Sequence, residues 1–353
     1  MNYPCKKIFV ILGSSCNLSC KYCMQHPIVN TPCPVAVNPD VVKWIDDISA
    51  NRERPVEVCF YGGEPLLYFQ SIKEVVGLSR SKNVVWSIIT NGKALTDRVV
   101  DFLNAHDFRV AVSWDGERVK DTRGYDAVKE NLNNIVSIEN LCLTGVATAK
   151  TYPFDILTAM QAVDDLYYPV HRKHIGVNID FVFGHGILDP GMCDIDEAEM
   201  RKQMGRILEE YDKYVRGLDA APAIVQWVTR FLELYVSIHG KDIDPYCQNG
   251  LKVLNVDLDG NLYLCHNNRT VIGNIHEPTV RYVERWKHIG DVERRKSLCN
   301  QCRVRDVCGQ FCRLADEAKG EKYWCGMRKM VLPPVIDYIE NQLQKSYMEG
   351  RNK

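Results

Sequence analysis

No run in this 353-residue chain approaches the roughly 20 apolar residues that a helical membrane span needs. The first apolar stretch, residues 8–12, is too short for the core of a secretion signal. An excess of charge of either sign is also missing: 44 Lys and Arg stand against 45 Asp and Glu, and no basic block occurs. A phosphate-backbone partner has no electrostatic footprint here, so neither nucleic acid nor a membrane is an expected partner. The expected location is cytoplasmic. With 46% apolar and 25% charged residues the composition is ordinary for a globular chain, long enough for one large domain and a smaller one.

Cysteine is what the chain has in quantity. Fifteen without a secretion signal point to metal or redox chemistry in a reducing compartment rather than to disulfides. Cys16, Cys20 and Cys23 are spaced C-x3-C-x2-C directly after the strand-like run 8–12. Three thiolates on a 4Fe-4S cluster leave one iron without a protein ligand, an open position for a small molecule. A zinc knuckle completed by His26 is the alternative on these residues. A second motif, Gly62-Gly63-Glu64-Pro65, follows the strand-like run 56–61. Its glycines let backbone approach a ligand, and Glu64 offers an acceptor for an ammonium.

Strand-like and helix-like segments alternate along the first half. Strands are expected at 8–12, 56–61, 84–90, 109–113, 141–149 and 177–182. Helices are expected from Asn38-Pro39, with Val41, Ile45 and Ile48 on one face, and at 66–79, 95–104, 125–138 and 153–166. Six βα units with continuous apolar strands predict an α/β fold, a parallel sheet closed into a partial (βα)6 TIM-like barrel. In such barrels the loops at the carboxyl ends of the strands hold the site. Both motifs lie there, as do Thr90-Asn91-Gly92 and Ser113-Trp114-Asp115-Gly116, which plain turns explain equally well. Residues 194–239 read as two amphipathic helices, one capped at Asp196 with Glu199 following, the other opened by Pro222 and ended by Gly240. Their apolar stripes are core.

The C-terminal part carries Cys247, Gly260 and Cys265, then Cys299, Cys302, Cys308 and Cys312, and finally Cys325. Residues 253–265 alternate around Asp259-Gly260, a type I′ hairpin signal that presents Cys265 at the end of its second strand. Cys5, Cys33, Cys59, Cys142 and Cys193 read as ordinary buried or loop thiols. A pair of structural zinc sites is the alternative for the C-terminal set, although closed zinc sites want ligands in fours.

The cysteine trio with its following GGEP resembles the radical S-adenosylmethionine (radical SAM) superfamily, and the seven later cysteines resemble its SPASM extension. The resemblance implies a barrel over 1–190, bridging helices over 191–245 and a small Cys-rich α+β SPASM domain over 246–353 with two auxiliary iron–sulfur clusters. It implies S-adenosylmethionine and three 4Fe-4S clusters as cofactors. Cys16, Cys20 and Cys23 would hold the first cluster. Cys299, Cys302, Cys308 and Cys325 would hold the distal auxiliary cluster, and Cys247, Cys265 and Cys312 the nearer one. The nearer set is one ligand short, a place open to water, substrate, Cys193 or His266. The implied S-adenosylmethionine contacts are Tyr22 against the adenine, Gly62, Gly63, Glu64 and Pro65 around the amino group, Asn91, and Ser113 and Arg123 at the ribose or carboxylate. Arg123 reads equally as a solvated arginine in the D-T-R-G turn.

The implied activity is reductive cleavage of S-adenosylmethionine to a 5′-deoxyadenosyl radical and oxidative modification, by crosslinking or dehydrogenation, of a peptide or protein. Formylglycine formation of the anaerobic sulfatase-maturase kind and radical dehydrogenation of a small molecule are the alternatives; an activating protein for a folded enzyme and a non-catalytic zinc module come from other classes. His266 stands where an acidic base commonly follows the second cysteine in sulfatase maturases. It is a candidate base, or a solvated histidine on a strand end; Asp115 is a second candidate. Expected partners are a reductant such as flavodoxin or ferredoxin and, because only fifteen residues precede Cys16, a separate leader-peptide-binding protein.

Overall fold

The computed structural model describes residues 5–30, 36–50, 52–184, 186–238, 252–287, 301–304, 308 and 325–351. Six parallel strands form the first part of the sheet: β1 (Lys7–Gly13), β2 (Val56–Gly62), β3 (Val84–Thr90), β4 (Arg109–Ser113), β5 (Asn140–Ala147) and β6 (Gly176–Phe181). Helices α1 (Pro39–Ser49), α2 (Phe69–Leu78), α3 (Asp97–Ala105) and α4 (Pro153–His171) lie in the crossovers. This is the partial TIM-like barrel that the alternation predicts.

Strand alternation separates two faces. The main apolar core takes Ile8, Val10 and Leu12 of β1 and Val56, Val58 and Phe60 of β2, packed with Val41 and Ile45 of α1 and Ile72 of α2. The intervening Lys7, Phe9, Glu57, Cys59, Tyr61, Ser87 and Arg109 therefore face the concave lumen. A Lys7–Glu57 ion pair at 2.9 Å and a Ser87 hydroxyl donating to Glu57 at 2.7 Å cross between strands on that face.

Three expected helices differ in detail. The one at 66–79 opens as a 3-10 turn, Pro65–Tyr68, before α2, because Pro65 fits the first turn and Glu64 caps it. The segment 125–138 is two short turns, Ala127–Glu130 and Leu132–Val136, broken at Asn131, whose side-chain amide donates to the Gly92 carbonyl at 2.8 Å. Helix α4 runs on to His171, past Pro169.

Helices α5 (Glu197–Val215) and α6 (Pro222–Ile238) follow. Asp196 caps α5, accepting from the Glu199 amide at 2.8 Å. The Gln226 amide of α6 donates to Ile175 at the foot of β6. The C-terminal helix α8 (Gly326–Arg351) packs on α5 through Tyr338 and Gln342, both donating to Asp212; α7 (Thr279–Lys287) comes between them in the chain. The expected stop at Gly240 lies outside the described residues.

The strands of the C-terminal third extend the barrel sheet. β7 (Val253–Asp257) pairs in parallel with β1, and β8 (Asn261–Cys265) and β9 (Asn268–Asn274) continue antiparallel, giving the order β6-β5-β4-β3-β2-β1-β7-β8-β9. The expected hairpin is present, but its turn is not type I′. Gly260 alone is left-handed, with φ +89°, whereas type I′ needs positive φ at both central residues. Asp257 supplies the alternative: its buried carboxylate accepts from the Asp259 and Asn261 amides at 3.0 and 2.9 Å and from the Tyr263 hydroxyl at 2.7 Å. Asp257→Ala is expected to cost roughly 2–4 kcal/mol by stranding these donors, measured as the shift of the denaturant midpoint.

Candidate active site

The four loops at the carboxyl ends of β1 to β4 meet at one rim, and the cysteine loop lies at their centre. Behind it, β1 carries an irregularity between Ile11 and Gly13 that brings Gly13 opposite Gly62. The Gly63 amide donates to the Gly13 carbonyl at 2.9 Å and the Glu64 amide to the Ser15 carbonyl at 2.8 Å. A Cβ on Gly63 would stand 2.3 Å from the Ser15 oxygen and 2.4 Å from the Ser14 oxygen. Gly62, at φ +157°, would place one 2.3 Å from the Gly13 oxygen. These glycines thus let the second loop lie against the backbone of the first.

Glu64 makes the next contact. Its side chain is buried; one oxygen accepts from the Leu66 amide at 2.9 Å and the Thr90 hydroxyl at 2.7 Å, the other from the Asn91 amide at 2.8 Å. Burial pushes its pKa up, and these three donors oppose that. The carboxylate ties the second loop to the third. Pro65 begins the 3-10 turn behind it. Asn91 then returns to the first loop: its side-chain amide donates to the Asn17 side chain at 2.7 Å and stands 3.9 Å from the Cys16 sulfur. Its oxygen also accepts from Lys93, so Asn91 makes both a turn and a contact.

Asp115 is the hub of the other flank. Its buried carboxylate accepts from the Tyr22 hydroxyl at 2.7 Å, the Thr122 hydroxyl at 2.7 Å, the Val146 amide at 2.9 Å and two nitrogens of Arg123 at 3.1 and 3.2 Å. A carboxylate so occupied acts as a brace between these elements. Arg123 is not solvated: its side chain is 10% exposed. Burial works against its charge, and the Asp115 carboxylate more than offsets this. Its guanidinium covers the Tyr22 ring at 5.3 Å, and Tyr22 packs with Val182, Met192 and Cys193. Tyr22 is therefore part of a buried apolar cluster. Ser113 ends β4 in register with Thr144, half-buried on the lumen side.

Cys16, Cys20 and Cys23 are partly exposed and free of disulfides. Burial raises all three thiols, Cys20 to about 11; Cys20 also feels Cys16 and Cys23, and Arg123 pulls Cys20 and Cys23 down. Among the described residues no three His, Cys, Asp or Glu side chains close to the spacing of a single ion. Thiolates are the ligands that iron–sulfur clusters take, and this loop presents three. His26 is exposed on a turn beyond Cys23.

The C-terminal hairpin reaches the same rim. Gln25 and the Tyr61 hydroxyl both donate to the Asn267 side-chain oxygen, at 2.9 and 2.8 Å, and the Asn267 amide points at the Cys265 sulfur at 3.4 Å. Tyr61 feels the charges of both Cys23 and Cys265. His266 stacks on Phe9, centroids 4.1 Å apart, with the Tyr61 ring edge-on at 4.9 Å. Burial, with the Lys7 charge, pushes its pKa down to about 3, so this packed imidazole is a weak proton acceptor. The residue keeps partial exposure. Cys302 and Cys308 pack together with Val304, Leu332 and Ile336, and Cys325 immediately precedes α8. Cys247, Cys299 and Cys312 lie outside the described residues, as does Cys33. Cys193 is buried beside Tyr22. Sequence reasoning named Thr90 in the third rim cluster and Thr122 in the D-T-R-G turn without a role for either, and missed Gln25, Tyr61 and Asn267.

Residues 10–138 match the Radical SAM superfamily. The chain is 23% identical over 282 residues, 77% of this chain and 89% of the relative, to the uncharacterized protein MJ0907 of Methanocaldococcus jannaschii. It is 28% identical over 283 residues, 72% of this chain and 71% of the relative, to the cysteine-type anaerobic sulfatase-maturating enzyme of Clostridium novyi. In fold it is similar to native anSMEcpe with bound AdoMet and Cp18Cys peptide (TM-score 0.62, 17% identity, 95% of this chain and 98% of that one). It is also similar to Streptococcus suis SuiB bound to precursor peptide SuiA (TM-score 0.59, 13% identity, 87% and 72%).

Glu64→Ala is expected to destabilise the fold by roughly 2–4 kcal/mol, because the Leu66 and Asn91 amides lose a buried acceptor. Asp115→Asn, which leaves Arg123 buried without its counter-charge, is expected to cost about 3–5 kcal/mol. Chemical denaturation of each variant measures both.

Proposed function

We propose that this chain, whose residues 10–138 belong to the radical SAM superfamily, holds a 4Fe-4S cluster on Cys16, Cys20 and Cys23, cleaves S-adenosylmethionine there, and oxidatively modifies a peptide or protein. The observation that carries this reading is the cysteine loop itself: three thiols at the carboxyl end of β1, braced by loops from β2, β3 and β4. When bound, the cluster and S-adenosylmethionine supply a 5′-deoxyadenosyl radical that takes a hydrogen atom from a substrate carbon. The chain's own residues fix the loop that would carry them. Glu64 and Asn91 act as positioning residues on one side, and Asp115, Arg123 and Tyr22 on the other.

Oxidation then removes one electron and one proton from the substrate, so that two hydrogens are lost and a crosslink or a double bond forms. We assign the electron to auxiliary iron–sulfur clusters on the C-terminal cysteines, in sets of Cys247, Cys265 and Cys312, and of Cys299, Cys302, Cys308 and Cys325. The hydrogen-bonded link from Gln25 through Asn267 to Tyr61 favours this, because it joins the loops of Cys23 and Cys265. A peptide substrate is supported by the peptides bound in the two structures of similar fold and by the name of the Clostridium novyi relative. A histidine, His266, stands where an acidic base commonly follows the second cysteine in sulfatase maturases, which argues against formylglycine formation of that kind.

Two variants test the reading. Cys16→Ala, Cys20→Ala, Cys23→Ala combined is expected to abolish 5′-deoxyadenosine formation under reducing, anaerobic conditions. Cys325→Ala is expected to lower iron content and lose product while keeping part of the cleavage. Continued 5′-deoxyadenosine release by the triple variant would show that the first cluster is misassigned.

A further inference from the structure

The lumen beneath the rim has two unlike walls. On one side Phe9 and Ile11 of β1 and Tyr61 of β2, with His266 stacked against them, make an aromatic and apolar surface. On the other, Ser113, Thr144 and Asn178 stand in register across β4, β5 and β6. The alternation that puts Val112, Leu143, Val177 and Ile179 in the main core turns these three polar side chains inward. The Asn178 amide reaches the Thr144 hydroxyl at 3.4 Å, extending the row to the open edge of the partial barrel.

At that edge the row ends in a cation. Arg230 of α6 donates through one terminal nitrogen to the Asn178 oxygen at 2.6 Å, which fixes the guanidinium over the end of β6. Its charge is felt by Cys142 and by Asp180, both on the lumen face. No carboxylate lies within ion-pair distance of Arg230 among the described residues, and the same holds for Arg109 at the foot of β4 on the same wall. The lumen's other cation, Lys7, is by contrast neutralised by Glu57 at 2.9 Å. Asp180, which accepts from Asn178 at 3.3 Å and feels the charges of Arg328 and Arg230, is the one carboxylate on the lumen face of β4 to β6 among the described residues. An arginine held by a neutral amide keeps most of its fork available for a second, anionic partner.

We propose that the substrate carries a carboxylate, an aspartate or glutamate side chain of the modified peptide, which pairs with Arg230 at the open edge of the lumen while Arg109 adds to the positive potential of the wall. Asn178 is the positioning residue for that arginine. This deepens the peptide-modifying reading and rests on it for the nature of the substrate, but the recognition step needs no cluster chemistry.

The test is equilibrium binding to the reconstituted full chain with S-adenosylmethionine present, read by fluorescence anisotropy of dansylated heptapeptides. Three are C-terminally amidated and differ at the central residue, Glu, Gln or Lys; the fourth has Gln there and a free C-terminal carboxylate. The Glu peptide is expected to bind about tenfold more tightly than the Gln peptide, the size of one charge-assisted hydrogen bond. Arg230→Gln is expected to erase the difference, and Arg230→Lys to keep most of it; an unchanged melting temperature shows that the variants are folded. Equal affinities for Glu and Gln, no measurable binding of any peptide, or a preference that survives Arg230→Gln would overturn the proposal. A gain from the free C-terminus alone overturns the side-chain assignment. Release of 5′-deoxyadenosine with chemical reductant and no peptide is measured in parallel: its absence beside an intact Glu preference would remove the radical SAM reading and leave this site standing.

Discussion

Two backbone hydrogen bonds hold the candidate site together, Gly63 to Gly13 and Glu64 to Ser15. They form because Gly63 has no Cβ, and any side chain there would collide with the oxygens of Ser14 and Ser15. Once the second loop lies on the first, the Glu64 carboxylate is buried beside the third loop, and Thr90 and Asn91 donate to it together with Leu66 of its own loop. Asn91 closes the circuit by returning to Asn17 beside Cys16. The three thiols are thus set by a closed ring of contacts among the loops of β1, β2 and β3, and a metal that meets preset ligands pays less in lost conformational freedom.

The opposite flank repeats the logic with a charge pair. A buried carboxylate with a single partner would be costly, but Asp115 has donors from Tyr22, Thr122, Val146 and Arg123. Arg123 in turn places a fixed positive charge beside Cys20 and Cys23, which favours the anionic thiolates that iron requires. The third strut comes from a distant part of the chain. Asn267, just beyond Cys265, receives hydrogen bonds from Gln25 and Tyr61, so the joining of β7 to β1 delivers a later cysteine to the rim of the first.

The six βα units and their loops were legible because apolar strand periodicity and the C-x3-C-x2-C and GGEP spacings are local signals. What those residues touch was not. Glu64 and Asp115 read as groups facing a ligand because acids near a motif usually do, yet each also accepts from donors far along the chain, Glu64 from Thr90 and Asn91 and Asp115 from Tyr22 and Val146. Tyr22 read as a stacking platform, whereas its ring is covered by Arg123 and its apolar neighbours. The extension of the barrel sheet by β7 to β9 was invisible for the same reason: strand pairing across some 240 residues leaves no periodic trace in sequence. The hairpin turn was misjudged because Asp257 hydrogen-bonds its own loop, letting Asp259 keep an ordinary φ.

The most direct measurement is the intact mass of a short peptide encoded beside the gene, after anaerobic co-expression with and without this chain. The account predicts a product lighter by pairs of hydrogens, with fragmentation placing the change at linked or desaturated side chains. An unchanged peptide mass, with S-adenosylmethionine still cleaved by the purified chain, would contradict oxidative peptide modification and direct the reading toward a small molecule or a folded protein.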